Sequence, residues 1–293
     1  MKRILLYLAT NFAVLLLISV VFKLFNIEGV LAANGIDLDL RGVLIYSLIV
    51  GFAGSVISLL MSKHMAKSGM GVYVIEQPSN ATERWLVETV YRLAEEAGIG
   101  YPEVGIFDSP EPNAFATGAN RNDALVAVSS GLLHHMNKDE VEAVLGHEVT
   151  HVANGDMITM ALMQGVVNTF VMFLATVIGH VVDRAVFKNE EGHGPAYYIS
   201  SLIAQVLLSI LATMIVMWFS RWREFRADAG GAYLAGRNKM INALRRLQQA
   251  QPDDLPDQFA AFGIAGRATR GLKELFLSHP PLEDRIAALQ QMQ

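Results

Sequence analysis

The chain has 293 residues, a formal net charge of −5 and no cysteine. Disulfides and thiolate ligands are therefore excluded, any bound metal must be held by nitrogen and oxygen, and the acidic balance argues against a general nucleic-acid binder. With 52% hydrophobic and 17% charged residues and a mean hydropathy of +0.33, the sequence is too apolar for an ordinary soluble domain of this size.

The apolar excess sits in four stretches. Residues 4–22 and 43–62 carry no charge, and each has about the 20 residues that cross a bilayer as a helix. The first is long for a signal-peptide core and lacks a clear small-x-small cleavage site, so it reads as an uncleaved anchor. Residues 157–182 and 197–220 are also free of Asp, Glu, Lys and Arg, but carry Gln164, Asn168, His180 and Gln205. They read as two further spans, with a partly crossing helical hairpin as the alternative; the three amides are expected to satisfy one another across helices. Lys2 and Arg3 precede the first stretch, Lys63 and Lys67 follow the second, and Arg221, Arg223 and Arg226 follow the fourth. The connectors 26–42 and 183–196 are richer in acids. The positive-inside bias then puts both termini and residues 63–156 in the cytoplasm.

Between the two pairs of stretches, residues 64–156 read as an α/β unit. Strands are expected at 71–76, 103–107 and 124–128, with a short edge strand at 112–118. An amphipathic helix is expected at 80–97, with Trp85, Leu86, Val90, Leu93 and Ala94 at helical spacing. Asn137 with Glu140 three residues on forms a capping-box signature, and Asn154-Gly155 is a stop. The helix so framed carries His147-Glu148-Val149-Thr150-His151. Residues four apart share a helix face, so both imidazoles can meet one metal ion while Glu148 reaches a water beside it. Five residues match too easily by chance to decide alone. Residues 221–250 read as further helix, interrupted near Gly230-Gly231 and Gly236. A polar loop follows at 251–258, then apolar 272–277, a turn at 278–281 and a final helix at 282–292.

A hydrolytic zinc site has three protein ligands and one open position. Glu224 is the best third ligand. Asp228, one turn later, is placed to accept a hydrogen bond from a ligand histidine. Without the histidine motif, both acids would read as a solvated face interleaved with Arg223 and Arg226. Topology offers an independent check: two spans separate His151 from Glu224, and two spans return the chain to its starting side. The short flanks, six residues from His151 to the third stretch and five from Phe219 to Glu224, would hold such a site close to the membrane surface.

The combination of two N-terminal spans, NAFATG, GHEVTHVANGD, two more spans, WFSRWREFRADAGG and LFLSHPPLEDRI resembles the HtpX family of bacterial membrane zinc proteases, relatives of the CAAX prenyl-protease type. The likeness covers nearly the whole chain. It implies a zinc endopeptidase of the inner membrane, with a cytoplasmic site and a role in membrane-protein quality control under heat or envelope stress. It also implies that residues 113–118, including Asn113, Ala114, Phe115 and Ala116, present an edge strand to the backbone of unfolded substrates; an ordinary edge strand is the alternative. In this reading Glu148 is the general base. His279 in the Ser-His-Pro-Pro turn is a candidate to stabilise the oxyanion, with a loop histidine capping local structure as the alternative.

The expected fold class is a mainly α membrane protein, four transmembrane helices carrying a cytoplasmic zincin-like α/β protease domain. The segments are 1–62 (spans), 63–156 (first protease half), 157–220 (spans) and 221–293 (second half, with the third ligand). One Zn²⁺ per subunit, protein substrates and the lipid bilayer are the expected partners. His134-His135, His64, His180 and His193 carry no expected role. A transporter would want charged or broken mid-membrane helices. A scaffold with structural zinc would want a fourth ligand. Neither feature is apparent.

Overall fold

The computed structural model describes residues 38–189, 192–250 and 279–292, together with residues 23, 29 and 32. The expected first span (4–22), the 251–258 loop and the apolar 272–277 segment lie outside the described residues. By residue range the chain divides into two compact units, Met1–Ile57 with Thr159–Val216, and Ser58–Ile158 with Met217–Gln293.

The first unit draws on three long helices: α1 (Leu40–Gly69), α5 (Asp156–Val181, continued by a π-turn over Val182–Val186) and α6 (Pro195–Ala235). Among the described residues these three are long and apolar enough to cross a membrane. They contain the expected stretches 43–62, 157–182 and 197–220. Small residues let α1 and α5 approach closely: a Cβ on Gly51 would stand 2.8 Å from the Thr169 nitrogen, and one on Gly165 2.8 Å from Ser55 Oγ. Without a hydrophobic drive between helices in lipid, such close backbone packing is what holds spans together. Ile45, Ile49 and Ile57 of α1 and Leu202, Val206 and Leu207 of α6 are exposed, as rows facing lipid require. The polar residues do not bridge helices as expected. Gln164 donates to Asn168 within α5 (2.8 Å), because four residues apart they already share a face, and Gln205 is exposed.

The second unit is built on a four-stranded sheet, β1 (Tyr73–Val74), β2 (Glu103–Phe107), β3 (Ala114–Asn120) and β4 (Asp123–Ser129), in the order β1-β2-β4-β3. β2 and β4 are parallel; β1 and β3 pair antiparallel at the two edges. The strand expected over 71–76 shrinks to two residues. β4 is apolar at successive positions because both faces are covered: Ala124, Val126 and Val128 join the main core, Leu125 and Ala127 a smaller one with Val72 and Phe107.

Helices α2 (Ala81–Ala97), α3 (Ser130–His135), α4 (Lys138–Asn154), α7 (Arg237–Ala250) and α8 (Leu282–Gln291) complete the unit. Leu86, Val90 and Leu93 of α2, Val141, Leu145 and Val149 of α4, and Met240 and Leu244 of α7 form the main core. Gly230-Gly231 do not interrupt the helix; α6 runs through them to Ala235 and breaks at Gly236, whose φ of 108° is strained for other residues. The glycine pair serves close packing instead. A Cβ on Gly231 would stand 2.9 Å from the His147 nitrogen, and one on Gly146 3.3 Å from the Gly231 carbonyl oxygen.

Candidate metal centre

Helix α4 begins and ends where the sequence dictates. The Asn137 side chain accepts from the Glu140 nitrogen (3.0 Å) and the Glu140 carboxylate accepts from the Asn137 nitrogen (2.9 Å), closing the capping box. Gly155, at φ 67°, ends the helix in the left-handed conformation. Within the motif His147, Val149, Thr150 and His151 are buried, and Glu148 alone is half-exposed.

The glycine contact brings α6 against α4 and sets Glu224, fully buried, opposite the two imidazoles. His147 Nε2 and His151 Nε2 lie 3.1 Å apart. Glu224 Oε1 is 3.3 Å from His151 Nε2, and Oε2 is 3.5 Å from His147 Nε2. One atom from each residue falls within 4.8 Å of the others, close enough to hold one metal ion. Behind the rings stand two aspartates. His151 Nδ1 donates to Asp156 Oδ2 (2.7 Å). His147 Nδ1 lies 3.0 Å from Asp228 Oδ1, though its N–H is not aimed straight at that oxygen.

These partners fix the chemistry. A carboxylate can only accept, so each Nδ1 carries the proton and each Nε2 turns a lone pair inward. These lone pairs face the Glu224 carboxylate, His151 toward Oε1 and His147 toward Oε2, and Oε1 is buried with no hydrogen-bond partner among the described residues. Lone pairs crowded around a buried carboxylate repel unless a cation joins them. Protons compete for the same atoms. Burial lowers the His147 pKa, but its hydrogen bonds to Asp228 and Glu224 outweigh this and raise it to about 9. His151 is raised too: burial opposes, and Asp156 and Glu224 prevail. The residues present fit a metal ion.

A cavity of about 400 Å³ opens onto this centre. His147, Glu148, His279 and Arg285 supply its polar lining, and Val144, Met240, Leu244 and Leu247 an apolar wall. His279 Nδ1 donates to Glu224 Oε2 (2.6 Å) while most of its ring is exposed. It is thus tied to the carboxylate ligand candidate. Asn113 and Ala114 also line the cavity. Edge strand β3 starts there, with Ala114, Phe115 and Ala116 opposite Val128, Ala127 and Val126. The Phe115 side chain packs near Phe107, 5.5 Å between ring centres, in the smaller core, so only its backbone edge is available on this side.

Two members of the centre escaped sequence reasoning. Asp156 orients His151 from just past the helix stop; its signal was an acid immediately following Asn154-Gly155. Arg285 grips Asp228 with two hydrogen bonds, Nε to Oδ2 at 2.7 Å and Nη2 to Oδ1 at 2.6 Å, and is buried. Its only signal was an arginine on the otherwise apolar face of the last helix.

Two histidines one helical turn apart, a carboxylate from a second helix and a glutamate on the cavity side define a metal-dependent hydrolase of the His-Glu-x-x-His class. Residues 80–293 match Peptidase family M48. The chain is similar to Protease HtpX of Thioalkalivibrio sulfidiphilus (strain HL-EbGR7), 64% identical over the full length of both, and to the Protease HtpX homolog of Thiobacillus denitrificans (strain ATCC 25259 / T1), 63% identical over the full length of both. The chain belongs to the HtpX family of bacterial membrane metalloproteases, within peptidase family M48. Its fold is similar to that in the crystal structure of S. mikatae Ste24p, with a TM-score of 0.61 at 19% identity, covering 94% of this chain and 67% of that one.

Proposed function

We propose that this metalloprotease is a zinc endopeptidase of the bacterial inner membrane that cuts misfolded or damaged membrane proteins and unfolded segments during stress. The observation that carries the reading is the convergence of His147, His151 and Glu224 beside a cavity lined by Glu148. Zinc bonds of about 2.0–2.1 Å at tetrahedral angles set ligand atoms about 3.3 Å apart. The three spacings here, 3.1, 3.3 and 3.5 Å, support one zinc per subunit.

His147, His151 and Glu224 would hold the zinc, which when bound would supply a Lewis acid for the peptide carbonyl and acidify an attacking water. Glu148 is placed to take a proton from the attacking water and return it to the leaving amine. Asp156 and Asp228 hold the imidazoles in the tautomer that keeps Nε2 free. His279 holds Glu224 through Nδ1 and offers its exposed ring to the oxyanion. The backbone of 113–116 at the cavity edge suits pairing with an extended substrate, which would favour unfolded segments over a fixed sequence.

The domain division at 62, 156 and 220, four spans, and a cytoplasmic site with cytoplasmic termini belong to the same proposal. The distribution of Lys and Arg and the even number of spans between His151 and Glu224 support them.

The test is cleavage of casein by detergent-purified protein, with bound zinc measured in parallel. Glu148→Gln should keep its zinc and lose at least about 100-fold in rate, the scale of general-base catalysis. Equal cleavage by variant and parent would remove Glu148 from the mechanism.

A further inference from the structure

A second pair of histidines meets nose to nose in the first unit. His180 lies in the last turn of α5, and His193 two residues before α6. Their Nε2 atoms are 2.9 Å apart. His180 Nδ1 lies 2.9 Å from the Thr176 carbonyl oxygen. A carbonyl only accepts, so Nδ1 carries the proton and Nε2 presents a lone pair to His193.

Residues on either side of the pair hold it in place. Asp183 is buried and its Oδ2 accepts from Asn189 Nδ2 and from the Gly194 nitrogen, both at 3.0 Å. Arg184 donates to the Asn189 carbonyl (2.9 Å). Tyr197 stacks on the His193 ring, 4.1 Å between centres at 28°, and meets His180 edge-on. His180 is thus oriented through its other ring nitrogen, as metal-binding histidines are, and His193 by the stacked Tyr197 ring.

We propose that His180 and His193 form a second metal site, one that takes divalent copper, at the end of α5 and just before α6. The 2.9 Å approach of the two Nε2 atoms lets one ion reach both. Imidazole nitrogen is a good ligand for copper, and of the divalent first-row metals Cu(II) binds such a nitrogen site most tightly.

The test uses the full chain in detergent, loaded with zinc and titrated with Cu(II). Copper and zinc are both counted, and electron paramagnetic resonance is recorded at each point. One copper per chain should bind with no zinc released, giving an axial spectrum with imidazole nitrogen couplings. His193→Ala and His180→Ala should each weaken this binding by about 100-fold, since losing even an outer partner of a ligand costs about 10–100-fold, while zinc content and casein cleavage stay at the parent level. His193 is exposed, so that variant tests the idea without disturbing the helices. Copper that enters only as zinc leaves would overturn the proposal. So would copper bound equally by the parent and both variants, which would belong to surface histidines such as His134 and His135.

Discussion

Individual side chains in the centre are coupled through charge, and this sets what substitutions do. Glu224→Ala removes a direct ligand candidate and should strip most of the zinc. Asp228→Ala should lower zinc affinity less, but it takes both hydrogen bonds from the buried Arg285 guanidinium, leaving it only Glu224 Oε2 at 3.7 Å. Breaking a buried ion pair from one side costs about 3–5 kcal/mol, so Asp228→Ala should be the less stable of the two. The double variant Asp228→Ala/Arg285→Leu should regain much of the loss, because no orphan charge is left. Denaturation in detergent tests this; equal stability of Asp228→Ala and parent would refute the coupling. Protonation gives a second prediction at this scale. The folded-state pKa of His147, about 9, lies above its ordinary 6.5. In chelator-treated protein its contribution to stability is then fully present below pH 6.5 and disappears as pH rises through about 9. Zinc-loaded protein should not show that fall, since the ion replaces the proton. Identical pH–stability curves with and without chelator would contradict this.

Elements carry the next level of control. The crossing of α4 and α6 depends on Gly146 and Gly231, so Gly231→Ala should press on the His147 backbone and part Glu224 from the histidines without replacing a ligand. The expected cost is about 1–3 kcal/mol, as for overpacking, together with weaker zinc binding. Gly54→Ala is the control, because a Cβ there meets nothing within 4 Å. Unchanged zinc affinity in Gly231→Ala would show that the crossing does not set the ligand geometry. Local signals made most elements legible in the sequence. Asn137 with Glu140 gave the start of α4 and Gly155 its end, while period-3.6 leucines and valines gave α2. The glycine pair misled because propensity treats glycine as a breaker, whereas here the missing Cβ admits a neighbouring backbone. β1 was overestimated because its apolar run also packs outside the ladder: Val72 is in the core but not in the strand.

For the molecule as a whole, the three long apolar helices among the described residues were readable because length and hydropathy suffice for them. His147, His151 and Glu224 were readable because a helical period and a parity argument each constrain them. Asp156 and Arg285 were not, because each is defined by a partner distant in chain or just past a helix end, and nothing local distinguishes a buried arginine from a surface one. If four spans and a cytoplasmic site are right, a reporter fused after Gln293 should read out in the cytoplasm. A periplasmic signal would break the parity on which the pairing of His151 with Glu224 was first argued.

Arg285 lies 57 residues beyond Asp228 in the chain, yet it clamps the aspartate that steadies His147. Of these residues the histidines emerge from the ribosome first, Glu224 and Asp228 later, and this clamp last. A nascent chain therefore holds only fragments of the centre until α8 has been made. Chains that stop short of α8 should be harmless to the membrane around them.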